Sequence, residues 1–167
     1  MFPKKEERSE DSKHIIRLKD KESVVGVFRG ELREYYQHWF GPGTAPAICA
    51  DRRTCEHCKA KVKSSYRFRA NIAVPAQAGG YEMKIFEGGR TIYDQLAEIA
   101  TVYDVKQHAV KLSRSGSGLN DTTYSVMPLP TGAVTGEKLA AIEKLPLHDL
   151  AGGAEDDVPM PQQADGF

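Results

Sequence analysis

No run in this sequence approaches the roughly 20 apolar residues that a membrane-spanning helix requires, and the opening "MFPKKEERSEDSK" lacks the apolar core of a signal peptide. Both absences lead to the expectation of a cytoplasmic protein without a membrane partner. Net charge is missing as well, with 23 Lys and Arg against 23 Asp and Glu in 167 residues. Cysteine is scarce: there are three, an odd number that cannot be fully paired within one chain. In a reducing compartment such thiols are metal ligands or catalytic groups before they are disulfides. A chain of this length buries a core without covalent staples. With 40% hydrophobic and 28% charged residues it has the composition of a globular protein, and one domain with tails is expected.

The balanced total hides a separation of charge. Residues 149–167 contain Asp149, Glu155, Asp156, Asp157 and Asp165 and no Lys or Arg, whereas residues 13–130 hold 18 basic groups against 12 acidic ones. Seven of those basic groups fall between Arg52 and Arg69. A basic body with an acidic end is the pattern to explain, and a solvated surface with a disordered end is one reading of it.

Residues 1–12 are charged, without periodic apolar positions, and read as a flexible arm. "SVVGVFRGELREYYQHW" reads as a long strand that Gly26 and Gly30 allow to bend or bulge. "GPGTAPAICADRRT" is broken by Gly and Pro into an irregular excursion. "SYRFRANIAV" alternates strictly, with Tyr66, Phe68, Ala70 and Ile72 on one side and Arg67, Arg69 and Asn71 on the other. The first side is assigned to the core and Arg67 and Arg69 to an open groove. A strand over "YEMKIFE", a helix capped near Thr91 with Ile92, Leu96 and Ile99 on one face, and a hairpin from "QHAVKLSR" to "TTYSVMP" follow. Five strands with one helix between the third and fourth is the connectivity of the OB fold, a small barrel that binds oligonucleotides, and a mainly β, five-stranded OB barrel over residues 13–130 is expected. Residues 131–148 read as a short helical segment and 149–167 as a disordered acidic tail.

His38, Cys49, Cys55 and Cys58 supply one imidazole and three thiols, the donor set of a closed tetrahedral Zn2+ site. The two-residue gap in "CEHC" lets both thiolates converge on one ion while the turn's N–H groups stabilise their charge. Four protein ligands leave no position for water, so the zinc is expected to be single and structural, clamping a loop subdomain over 38–58. His57, inside the knuckle, and nearby Asp51 remain alternatives for the fourth ligand. A redox use of the Cys-x-x-Cys pair lacks the βαβ setting such pairs have. No Asp/Glu/His cluster offers an open metal site, and His14, His108 and His148 are scattered, so a non-enzymatic protein is expected.

The ligand order His38, Cys49, Cys55, Cys58, with "VFRGELREYYQHW", "CEHCKAKVKSSYRFRANIAV" and "KLSRSGSGLNDTTYSVMP", resembles the zinc-containing single-stranded DNA-binding proteins of tailed bacteriophages. The resemblance spans roughly residues 20–130. It implies an OB fold with an inserted zinc subdomain, and a protein that coats single-stranded DNA during replication, recombination and repair in a host cell cytoplasm. The residues themselves agree, because a sequence-tolerant binder needs cations for phosphates and flat rings for bases. Arg29, Arg33, Lys59, Lys61, Lys63, Arg67, Arg69 and Arg114 are the expected cations, with Tyr36 and Trp39 as stacking rings. The tail, with Asp156, Asp157 and terminal Phe167, resembles the acidic tails that recruit replication or recombination proteins. The alternative is a zinc-stabilised adaptor or transcription-associated module that binds a protein or duplex DNA.

Overall fold

The β-branched and aromatic residues after Glu22 form β1 (Ser23–His38), the strand that organises the rest. The computed structural model describes residues 13–41, 43–44, 46–49, 51–118 and 121–151. After β1 come β2 (Ala47–Cys49), the one-turn helix α1 (Glu56–Lys59), β3 (Ser64–Pro75), β4 (Tyr81–Gly89), α2 (Arg90–Ala100), β5 (His108–Ser115), β6 (Thr123–Ala133) and α3 (Gly136–Glu143). The strands build one six-stranded antiparallel sheet in the order β4-β3-β1-β5-β6, with β2 beside the end of β1. β5 pairs with β1 over Ser23–Gly26, and β2 takes the corresponding place over Tyr36–His38.

The expected closed five-stranded barrel is therefore not what the strands form. The sheet is open, with β4 and β6 at its edges and no ladder between them among the described residues. It is nevertheless curled. In a flat sheet of this order the edge strands would stand about 19 Å apart, beyond the reach of one helix about 10 Å wide. Yet α2 contacts β3, β4 and β6. It also covers the β6 edge chemically, because the Val126 N–H donates to Gln95 Oε1 at 3.0 Å.

Two glycines shape β1. At Gly26 a Cβ would stand 2.7 Å from Ile72 Cδ1 and 2.8 Å from the Ala73 carbonyl oxygen, so only glycine lets β1 and β3 approach so closely. Gly30, with φ of +67°, sits where the β1–β3 register slips between Arg29 and Arg33, a bulge that turns the second half of the strand.

The inner face holds Phe28, Phe68, Ile72, Phe86, Ile92, Val110 and Leu112. A second cluster on the opposite face joins Val27, Ala73, Met83 and Ala109 to Val134 and Ile142. Residues 131–148 are thus half of a second core rather than an appendage. Beyond α3 the chain straps the outer face: Asn71 Nδ2 donates to the His148 carbonyl at 3.1 Å, the His148 N–H donates to Asn71 Oδ1 at 2.8 Å, and Arg33 Nη1 donates to the Leu150 carbonyl at 2.9 Å. The start of the expected tail, Asp149–Ala151, belongs to this strap. His14 and His148, expected to be unrelated, stack with ring centroids 4.3 Å apart. The 1–12 arm and tail residues Asp156, Asp157 and Phe167 lie outside the described residues.

Three boundaries also differ from the sequence reading. α2 starts at Arg90 with Gly89 as its N-cap, not near Thr91. β6 runs through Pro128 and Pro130 to Ala133, which an edge strand permits. Inside the Gly/Pro excursion lies β2, too short for any periodicity to announce it.

Candidate metal centre and cationic surface

His38 is the last residue of β1 and is fully buried. β2 lies antiparallel to it, with Tyr36 opposite Cys49 and His38 opposite Ala47, and cross-strand partners share a face. Cys49 is therefore on the same side as His38. Cys55 and Cys58 come from the turn leading into and through α1, where the Cys55 N–H donates to the Asp51 carbonyl at 2.8 Å and the Lys59 N–H to the Cys55 carbonyl at 3.0 Å. The knuckle is thereby folded onto the end of the sheet.

The four donor atoms lie within 4.8 Å of one another. Cys49 Sγ is 3.5 Å from Cys58 Sγ, and His38 Nε2 is 3.4 Å from both Cys55 Sγ and Cys58 Sγ. A tetrahedral zinc site has edges of about 3.8 Å between sulfurs and about 3.6 Å from sulfur to nitrogen. The cluster can thus hold one metal ion and is compatible with a structural zinc. His38 Nδ1 lies 3.1 Å from the carbonyl oxygens of both Val62 and Lys63, so it donates there and leaves the Nε2 lone pair facing the thiols.

The thiols are unequal. The Cys58 backbone N–H aimed at its sulfur brings Cys55 down to about 7, against an upward push from burial, with the His57 N–H assisting. Burial, then contact with the other two thiols, pushes Cys49 up to about 12. Of the alternative ligands, His57 packs its ring against Phe40 and His38, while Asp51 accepts the Arg53 N–H. Neither joins the cluster.

The cations divide into two groups. Lys59, Lys61 and Lys63 are exposed on and after the knuckle. Arg67 and Arg69 are not groove cations: Glu87 of β4 pairs with Arg67 Nη2 at 3.2 Å and Arg69 Nε at 2.9 Å, and Arg69 is buried. Strand alternation correctly sends both away from the inner core, but the strap and second core make that outer face an interior too. Arg33 holds the strap, Arg29 Nη1 donates to the Lys106 carbonyl at 3.0 Å, and Arg114 Nη1 donates to the Leu18 carbonyl at 2.7 Å, so each is a structural tie. Trp39 is half-buried with its indole nitrogen enclosed.

Tyr36 is better placed. Its ring meets that of Tyr66, its β3 partner, edge to face at 5.9 Å. The Arg52 guanidinium lies 4.5 Å from the Tyr36 ring centroid, and Arg90 lies 3.8 Å from that of Tyr66. Burial, and then the bond its OH donates to Glu34 at 2.6 Å, drives the Tyr66 pKa upward. Arg90, Tyr66 and Tyr93 escaped the sequence reading as a site. A signal existed in Arg90 and Tyr93, three apart at the start of a helix, but their pairing with Tyr66 is purely tertiary. No known protein family matches the chain, and neither does a curated protein or a solved structure. No helix among the described residues is long and apolar enough to cross a membrane.

Proposed function

We propose that this protein binds single-stranded DNA with little sequence preference, and that a structural Zn2+ on His38, Cys49, Cys55 and Cys58 holds the loop presenting its cations. The observation that carries this is the pair of guanidiniums, Arg52 and Arg90, laid on the neighbouring rings of Tyr36 and Tyr66. Stacking orients each cation while leaving its N–H edge for an anion, and neither makes a hydrogen bond or ion pair among the described residues. Lys59, Lys61 and Lys63, on and after the knuckle, add three exposed cations. Cations interleaved with rings are what sequence-tolerant binding of a single strand requires.

The order of strands and helix, with β1 shared by two ladders, supports reading the curled sheet as an opened OB arrangement. This is also what the resemblance to the phage proteins implies. On that reading the protein protects single strands during replication, recombination and repair, and its acidic tail recruits the proteins that act there.

Titration with labelled oligothymidine tests the proposal. Log affinity should fall with log salt at about 0.7 per neutralised phosphate, and Arg52→Ala and Arg90→Ala should each lower that slope by about 0.7. Equal affinity for duplex and single strands would instead assign the surface to the adaptor reading.

A further inference from the structure

An apolar cavity of about 220 Å3 opens between α2 and the Gly30 bulge of β1. Phe28 and Phe68 form its floor, Tyr93, Leu96 and Ala97 its helical wall. Lys106 and Glu31, whose side chains are 47% and 96% exposed, stand at its mouth beside Arg29. An engineered apolar cavity of about 150 Å3 admits a benzene ring, whereas drug-sized ligands need about 300 Å3 or more. The space therefore suits one ring system.

Its position points to which. Tyr93 packs against Tyr66 at 5.4 Å and Phe68 at 5.9 Å, and Arg90 lies 5.7 Å from its centroid. The cavity thus shares a wall with the Arg90–Tyr66 pair. Arg29 and Lys106 line it, and Arg90 stands against Tyr93, one of its walls. The Lys106–Glu31 pair, at 3.4 Å and exposed, is weak enough to exchange for a stronger anion. An aromatic ring with an anion on either side is the chemistry of a nucleotide within a strand.

We infer that this cavity receives one unstacked nucleobase of the bound single strand, with its flanking phosphates at Arg90 and Lys106. The inference rests on the single-strand reading, and the experiment separates the two. Ala97→Phe fills the cavity from an exposed helix position, and its fold is checked by circular dichroism. Wild type and variant are titrated with oligothymidine and with an abasic oligomer of equal length. The variant should bind oligothymidine about 5- to 150-fold more weakly, the range one lost base stack represents. Its salt slope and its affinity for the abasic oligomer should match wild type.

A second measurement needs no variant: 2-aminopurine at successive positions of a bound oligomer should show one class of base shielded from acrylamide quenching. Unchanged oligothymidine affinity in the folded variant, or uniform quenching in wild type, overturns the inference and leaves the DNA-binding reading standing. The first of these results would leave the cavity to an apolar side chain of a protein partner. Wild type that binds no single strand at all removes the reading, and the base site with it.

Discussion

Glu87 decides what two arginines do. Its carboxylate bridges Arg67 and Arg69 with all three side chains at most 13% exposed, so Arg69 serves stability rather than contact with a polyanion. Removing Arg69 leaves Glu87 with Arg67 and takes away half of a buried bridge, at a cost of up to about 3 kcal/mol, the lower end for breaking a buried pair. Arg69→Ala should show that loss in urea denaturation while leaving the salt slope of the proposed single-strand binding intact. Tyr35, beside Arg69, is pushed up to about 12, chiefly by burial and then by the Glu87 charge. The folded state therefore holds its phenol proton where the unfolded chain, at about 10, releases it. Stability from this group is present below pH 10 and should decline by about 2 kcal/mol as pH rises through 12. Tyr35→Phe should flatten that part of the stability-against-pH curve.

Among the elements, β1 carries the most constraints, for it pairs with β3 from Val27 to His38, with β5 at its start and with β2 at its end. The Gly26 site tolerates no side chain because Ile72 and the β3 backbone stand within 3 Å of where a Cβ would be. Gly26→Ala should destabilise the fold by about 1 to 3 kcal/mol, the usual range for overpacking, and urea denaturation would measure it. The segment between β1 and β3 has the opposite character. Its one strand has three residues and α1 has four, so its order depends on the His38 and cysteine cluster. On the proposed Zn2+, a chelator should make the backbone after Arg52 and Arg53 cleavable by trypsin while β3 and β4 keep their slow amide exchange. Cys55→Ser should give the same pattern and a loss of metal by elemental analysis.

For the whole molecule, the sheet has two interiors, one under α2 and one under α3 and the strap. Ile142 is fully buried and Val134 nearly so. A chain ending at Ala133 should expose Met83, Ala73 and Val27 and lose cooperative unfolding in a thermal melt. The strap also explains why the cationic surface lies where it does. With the outer face of β3 covered, Arg69 is buried, while Arg52, Lys59, Lys61 and Lys63 between β1 and β3, Arg90 at the start of α2 and Lys106 beyond it stay exposed.

Local chemistry determined most elements of this protein. The period of two in "SYRFRANIAV", the three-to-four spacing in "TIYDQLAEIA" and the donor order from His38 to Cys58 are properties of neighbouring residues, legible because backbone geometry repeats over short distances. Tertiary structure alone decided what each face meets. Alternation put Arg67 and Arg69 opposite Phe68, but whether that face sees water depended on α3 and Leu150, about 80 residues away in sequence. The Arg52–Tyr36 and Arg90–Tyr66 pairs join four separate segments. Closure of the sheet belonged to the same class, because pairing between β4 and β6 depends on accumulated twist and on the helix between them, which no short stretch of sequence encodes.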